Sequence, residues 1–341
     1  MPADKRMTGP SGAHFGVDDL DGLIVLPPTP ALPGSERIDA VDTVALEEVE
    51  RMIRSLVSAG VDGIMTNGTL GEAATLTRAE WEAFVATTAE TVQAINADFP
   101  VFVGVTALHT REIADRIRYV RSVGLHGAFV GRPFWSRLGS DAMIDFYVGL
   151  AAEFPDVSFV VYDNPEAFKG PIPPAVYARL AAVPGIIGAK CTAMTPAFRT
   201  TIEAVGDQLR IMPIEADWLA ATTLFPDQIK AAWSSSAVCG PEPVLRLRDA
   251  LRSGDIDTAR LLTDRIEWTY ETFLARTDFA EFSKYNIPIE KARFDAAGYV
   301  KAGPARAPYN VVPDAYLEGA RENGRRWRQL VTEVEALQPA S

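Results

Sequence analysis

Hydrophobic and polar positions change period repeatedly along the chain. From about residue 20, short apolar, β-branched runs alternate with helix-length segments whose apolar positions recur at helical spacing. The runs are GLIVLPP from Gly22, VDGIMTN from Val61, VFVGVTA from Val101 and GAFVGRPF from Gly127. SFVVYDNP from Ser158, GIIGAKCTA from Gly185, LRIMPIEAD from Leu209 and IKAAWSSSA from Ile229 complete a set of eight. They are nearly continuous rather than alternating, as expected of strands buried on both faces of a parallel sheet. Helices fit between them. One takes Asp42 or Thr43 as cap, turns Leu46, Val49, Ile53, Leu56 and Val57 to one face, and stops at Gly60. Another opens at Thr77 with Glu80 three residues on, a capping box. A third is capped by Thr110, turns Ile113, Ile117 and Val120 inward, and ends at Gly124.

Eight such units in about 225 residues predict an α/β fold, a (β/α)8 TIM barrel with a C-terminal helical extension. The alternative is a doubly wound open sheet. That fold would carry a Gly-rich nucleotide turn after its first strand, where PPTPALPG stands instead, and the chain has no GxGxxG or P-loop motif. Three regions follow: an N-terminal arm over 1–19, the barrel over 20–245, and a C-terminal helical appendage over 246–341 packed on the barrel. Within the appendage, FSKYNIPIEKARFDAAGYVKAGPARAPYN carries many specific side chains and a Gly/Pro-rich close.

Composition narrows the function. Apolar residues at 48% and charged residues at 23% describe a packed globule and exclude a disordered chain. No apolar run reaches the ~18 residues of a membrane span. Lys plus Arg number 33 against 45 acidic residues, a net charge of -12 with no basic face for nucleic acid. Two cysteines give neither a disulfide framework nor zinc spacing, and the N-terminus has no apolar signal core, so a reducing cytoplasm is expected. Lysines number only seven, which leaves few candidates for lysine chemistry.

A TIM barrel works at the C-terminal ends of its strands. Those positions hold Thr29; Asn67, Thr69 and Glu72; Thr106 and His109; Arg132, Phe134 and Trp135. Further round lie Tyr162, Asp163, Asn164 and Glu166; Lys190; Glu215 and Asp217; and Trp233, Ser234 and Ser235. Lys190 closes the apolar run GIIGA. Lysines are rarely buried unless paired, and desolvation lowers the pKa of an amine toward the neutral form that attacks a carbonyl. It is read either as a Schiff-base nucleophile or as a mouth lysine paired with Glu215 or Asp217. Tyr162 is either a proton-transfer phenol or a core aromatic. The turn Gly68–Glu72 is either an anion nest before a helix, suited to a carboxylate, or a plain tight turn. His14, His109 and His126 form no metal motif, while Glu72, Glu166, Glu215 and Asp217 keep a metal-dependent barrel open as an alternative.

The motifs NGTLGEAATLT, YDNPEAF and GAKCTA resemble the dihydrodipicolinate synthase/N-acetylneuraminate lyase superfamily over nearly the whole chain. TALHTRE, NPEAFK, AWSSSAVCGP and the FSKYN…KAGP segment resemble one branch, the hydratase-aldolases of polycyclic aromatic degradation. The resemblance implies cleavage of a substituted trans-benzylidenepyruvate to an aromatic aldehyde and pyruvate. It implies no cofactor beyond a covalent lysine imine, and a homotetramer or homodimer. It puts Lys190 at the Schiff-base lysine, Tyr162 at the proton-transferring tyrosine, Thr69 and the Leu70 backbone at the carboxylate nest, and Asn164 where water or hydroxyl is oriented. Thr29, Trp135, Phe168, Trp233, Ser234 and Asn286 complete the expected substrate-binding set. The chain departs from the wider superfamily at Leu70, at Phe134-Trp135, and at Glu166-Ala167-Phe168, where synthases carry an arginine. An aromatic-accepting pocket is therefore expected. Arg132 and Arg137 suggest a guanidinium for an ortho-carboxylate on the ring, against the alternative of a solvated arginine. The competing functions are another pyruvate lyase, acting on a sugar acid or a dihydrodipicolinate precursor, and a non-enzymatic sensory barrel.

Overall fold

The fold is that of a computed structural model describing residues 14–191, 193–274 and 278–336. Residues 1–13 of the expected arm lie outside the described residues. Eight strands occupy the eight expected runs: β1 Gly22–Val25, β2 Gly63–Met65, β3 Val101–Gly104, β4 Gly127–Val130, β5 Ser158–Tyr162, β6 Ile186–Lys190, β7 Arg210–Met212 and β8 Ala231–Ser234. All are buried along their whole length, which accounts for the unbroken apolar runs. Helices follow them one for one: α1 Leu46–Ala59, α2 Arg78–Gln93, α3 Thr110–Ser122, α4 Ser140–Glu153, α5 Pro174–Ala181, α6 Pro196–Val205, α7 Trp218–Leu224 and α8 Glu242–Ser253. The strand order β7-β6-β5-β4-β3-β2-β1-β8 is sequential, and a parallel bridge from Ile214 to Trp233 joins its two ends. A doubly wound sheet would break that order at a switch point. The fold is a TIM barrel with C-terminal helices, α9 Ile256–Tyr270, α10 Phe279–Ala297 and α11 Asp314–Ala336. Among the described residues no helix is long and apolar enough to cross a membrane.

Helix starts show where local signals were redirected. The Thr77–Glu80 capping box forms as expected. Helix α1 begins at Leu46 rather than beside Thr43, because Val44 bridges Ala31 and Thr43 is bonded to Glu80. Thr110 starts α3, but its cap is His109, whose Nδ1 accepts the Glu112 N–H at 3.2 Å.

The described residues form two compact units. One comprises residues up to Gly22, Gly63–Thr66 and Pro100–Trp233. It contains the ladder from β2 to β7, in which Tyr162 stands level with Lys190 and Lys190 with Met212. The described end of the arm packs against the start of this ladder. Phe15 exchanges two hydrogen bonds with Ser158 Oγ, at 2.7 and 2.9 Å, His14 stacks on His126, and buried Leu20 accepts from Arg210. The other unit comprises Leu23–Asp62, Asn67–Phe99 and Ser234 onward. There the C-terminal helices are tied to α1 and its flanks. Arg248 donates to Asp62, Arg51 to the Tyr299 carbonyl, and the Lys301 N–H to Glu48. Buried Trp327 of α11 donates to the Gly240 carbonyl.

Candidate active site

Strands β5 and β6 deliver Tyr162 and Lys190 side by side, both buried. The Lys190 Nζ lies 3.7 Å from the centroid of the Trp233 ring and 5.4 Å from that of Tyr162. Trp233 is fixed in turn by its Nε1–H, which donates to the Cys191 carbonyl at 2.6 Å. An aromatic face attracts a cation through its quadrupole, so a positive charge on this nitrogen is stabilised by both rings. Tyr162 stacks on Phe129 and meets Phe168 edge to face. Its phenol oxygen accepts from Asn164 Nδ2 at 3.3 Å. Lys190, Tyr162, Asn164, Phe168 and Trp233 are thus brought together, an amine, a phenol and an amide among apolar ring faces.

Arg132 serves a different purpose from the one expected. It is buried, and its guanidinium donates to Asp163 Oδ1 at 3.2 Å and to the carbonyls of Phe168 and Gly170. Asp163 Oδ2 accepts from the Ile172 N–H at 3.0 Å and from Tyr177 at 3.1 Å. Burial beside that carboxylate pushes the Tyr177 phenol well above 10, so it stays a donor. Arg132 is buried rather than solvated, and these bonds tie it to the 163–172 loop that carries Asn164 and Phe168. Arg137 packs beside Gly170 at the exposed rim, and Trp135 is 78% exposed. Gly131 leaves room for Phe168, since a Cβ there would stand 2.2 Å from the ring.

The second unit holds Thr29, Thr69 and Leu70. Thr29 is buried, donates to the Gly71 carbonyl at 2.8 Å and accepts from Asn67 at 3.4 Å, so its hydroxyl shapes the turn. The turn itself is tight. The Glu72 N–H reaches the Thr69 carbonyl, and a Cβ on Gly71 would meet Asn67 Cα at 2.8 Å. Among the described residues nothing accepts from the Leu70 N–H. Glu72, expected as a possible metal ligand, is fully buried and paired with Lys291 and Arg306. No three His, Cys, Asp or Glu side chains converge as a metal site among the described residues. Ser234 Oγ accepts from the Ala237 N–H, and the half-buried Asn286 of α10 has a buried Oδ1.

Two sets of site-supporting residues were not anticipated. Lys291 and Arg306 hold Glu72. Arg293, fully buried, pairs with Glu290 and donates to Ser235 and Ser236 just after β8. Their signal in the sequence is only that EKAR and PARAP place charges among apolar residues.

The model of the dihydrodipicolinate synthetase family matches residues 35–316. The chain is 42% identical over 312 residues to a trans-2'-carboxybenzalpyruvate hydratase-aldolase of Nocardioides sp. strain KP7, covering 91% of this chain and 93% of the relative. It is 38% identical over 317 residues to a trans-O-hydroxybenzylidenepyruvate hydratase-aldolase of Pseudomonas putida, covering 92% and 94%. A solved structure described as PhdJ bound to substrate intermediate superposes with a TM-score of 0.91 at 40% identity, covering 94% of this chain and 99% of that one.

Proposed function

The chain belongs to the dihydrodipicolinate synthetase family, and from that premise we propose that it is a cytoplasmic class I hydratase-aldolase. It cleaves a substituted trans-benzylidenepyruvate to an aromatic aldehyde and pyruvate during aromatic hydrocarbon degradation. The observation that carries the reading is Lys190 at the end of β6, its nitrogen against the Trp233 and Tyr162 rings, in a chain similar to two hydratase-aldolases.

The amine of Lys190 condenses with the 2-keto group and releases water, leaving a protonated imine whose charge lies against the Trp233 face. The imine withdraws electrons through the alkene, water adds at the carbon bearing the ring, and a proton returns to the neighbouring alkene carbon, which regenerates the protonated imine. The hydroxyl then loses its proton to Tyr162, or to a water held by Asn164. The adjacent C–C bond breaks, the aldehyde leaves, and its electron pair neutralises the imine as an enamine. Protonation of the enamine and hydrolysis return pyruvate and the free amine. One water is consumed overall, and the lysine imine is the only electron sink required. The 2'-carboxy substrate is preferred on the stronger similarity to the carboxybenzalpyruvate enzyme, not on Arg132, which is committed to the loop.

Incubation with pyruvate and borohydride tests the chemistry. A mass gain on the intact protein, absent in Lys190→Ala, is expected, and no adduct on the native protein would defeat it. Loss of the conjugated absorbance of 2'-carboxy- and 2'-hydroxybenzylidenepyruvate tests the substrate class. Turnover of neither, with turnover of a sugar acid, would assign the protein to another pyruvate lyase.

A further inference from the structure

Residues Gly68–Glu72 adopt a conformation that their own chemistry does not favour. Asn67 and Glu72 bracket the turn, and both have positive φ, 47° and 57°. This left-handed region is unfavourable for residues with a side chain and persists only where the surroundings over-determine it. Glycine at 71 removes one clash, and within the turn the Glu72 N–H reaches the Thr69 carbonyl at 3.0 Å, but the Glu72 carboxylate is held by residues outside the turn. The restraint comes from far along the chain. Glu72 Oε1 accepts the Arg306 N–H at 2.7 Å, and Oε2 accepts Lys291 Nζ at 2.6 Å and the Arg306 guanidinium. The same guanidinium reaches the Thr29 carbonyl at 3.4 Å, and Thr29 Oγ1 returns to the Gly71 carbonyl at 2.8 Å. The circuit Arg306–Thr29–Gly71–Glu72 therefore closes around the turn. Lys291 is anchored on its other side by the Pro304 carbonyl at 2.7 Å, and Arg306 by Thr43 at 2.6 Å. The members are 4% exposed or less, apart from Thr43 at 6% and Gly71.

We propose that Lys291 and Arg306, acting through Glu72, are positioning residues that fix the Gly68–Gly71 backbone for the carboxylate of the 2-keto acid. The inference rests on the lyase reading and adds to it the part played by the C-terminal segment, which supplies both cations that hold the Glu72 carboxylate. A purely structural ion cluster would change stability alone. A positioning cluster changes how much pyruvate is needed to occupy the site, while a site saturated with pyruvate still forms its imine.

The full-length protein and the variants Lys291→Gln, Glu72→Gln and their double are titrated with pyruvate under borohydride, well below the unfolding temperature of each. Adduct is read by intact mass. Half-saturating pyruvate is expected to rise about tenfold or more in each single variant. The double should be no worse than the worse single, because the residues act as one unit. The adduct reached at saturating pyruvate stays at the native level. Lys291→Arg, which returns a cation to Glu72, should recover most of the loss. Native half-saturation in both single variants, with or without a lowered Tm, overturns the proposal. If neither single variant folds, Arg306→Lys carries the test. It keeps a cation and the backbone donor but loses the forked contacts to Thr43 and Thr29. A rise of threefold or more is expected from it, and none overturns the proposal. Absence of any adduct on the native protein would instead count against the lyase reading, which separates the two failures.

Discussion

Replacing Arg132 with methionine separates the two uses that a buried arginine beside this site could have. The methionine fills much of the same space but removes the charge. Asp163 then loses the guanidinium at 3.2 Å while remaining 8% exposed, and the Phe168 and Gly170 carbonyls lose their donor. Removing one member of a buried pair costs about 3–5 kcal/mol, because the other charge stays in place uncompensated. The expected fall in Tm is roughly 5–10 °C. Asp163 retains the Ile172 N–H and Tyr177 hydroxyl, which argues for the lower part of that range. Combining Arg132→Met with Asp163→Asn should lose less than the sum of the two, since no lone charge then remains. The loop that loosens carries both Asn164 and Phe168, so catalytic efficiency falls by a similar factor for 2'-carboxy- and 2'-hydroxybenzylidenepyruvate. Thermal unfolding and the ratio of kcat/KM on the two substrates are the assays. A variant with native Tm that loses only the carboxy substrate, by about tenfold or more, would refute the clamp and return Arg132 to carboxylate recognition.

Three further outcomes follow from particular contacts. Gly131→Ala places a methyl 2.2 Å from the Phe168 ring, so urea unfolding should show a loss of about 1–3 kcal/mol and KM for the aryl substrate should rise; native values for both would mean the ring has free space. Burial pushes the Cys191 thiol up to about 11, so alkylation by iodoacetamide near pH 8 should run about a hundredfold slower than for an unperturbed thiol, and a rapid reaction would show the sulfur is not shielded. Burial pulls the Lys291 ammonium down to about 8 from 10.5, against the opposing pull of Glu72. Between those values the unfolded chain holds more protons than the folded one, so this group makes stability rise with pH across the window; urea unfolding from about pH 8 to about pH 10 should show that slope, and Lys291→Met should remove it.

The barrel was legible because its strands are buried on both faces, which writes an unbroken apolar run into the sequence at every strand. Lys190 was legible for the complementary reason, as a charge at the end of such a run. What escaped were decisions taken between distant residues. Thr43 looked like a helix cap, yet its N–H and hydroxyl are bonded to Glu80, 37 residues away. Arg132 looked like a ligand for a carboxylate, and the carboxylate it meets is Asp163, 31 residues on. Glu72 meets Lys291 and Arg306 across 219 and 234 residues, a pairing that no periodicity encodes. The end of the arm resembled a free segment by composition, but Phe15 and Leu20 are apolar and find buried places.

The seven lysines now separate into different physical situations, and the separation bears on which of them can attack a carbonyl. Lys5 lies outside the described residues, and Lys169, Lys230, Lys284 and Lys301 are exposed. Lys190 and Lys291 are the two that are buried, at 5% and 1% exposure. By pKa alone Lys291 would itself be a candidate, since burial has brought it to about 8. Its contacts argue otherwise. Two of its N–H bonds are directed to Glu72 and to the Pro304 carbonyl, and turning the nitrogen toward a substrate would leave Glu72 short of a buried partner. Lys190 is placed against the Trp233 and Tyr162 faces, whose quadrupoles attract a cation. The same faces remain when the ammonium has become an iminium. An aromatic face is therefore compatible with every charge state that imine chemistry passes through. The proposed reading thus gives the two buried lysines opposite tasks, Lys190 the reaction and Lys291 the turn.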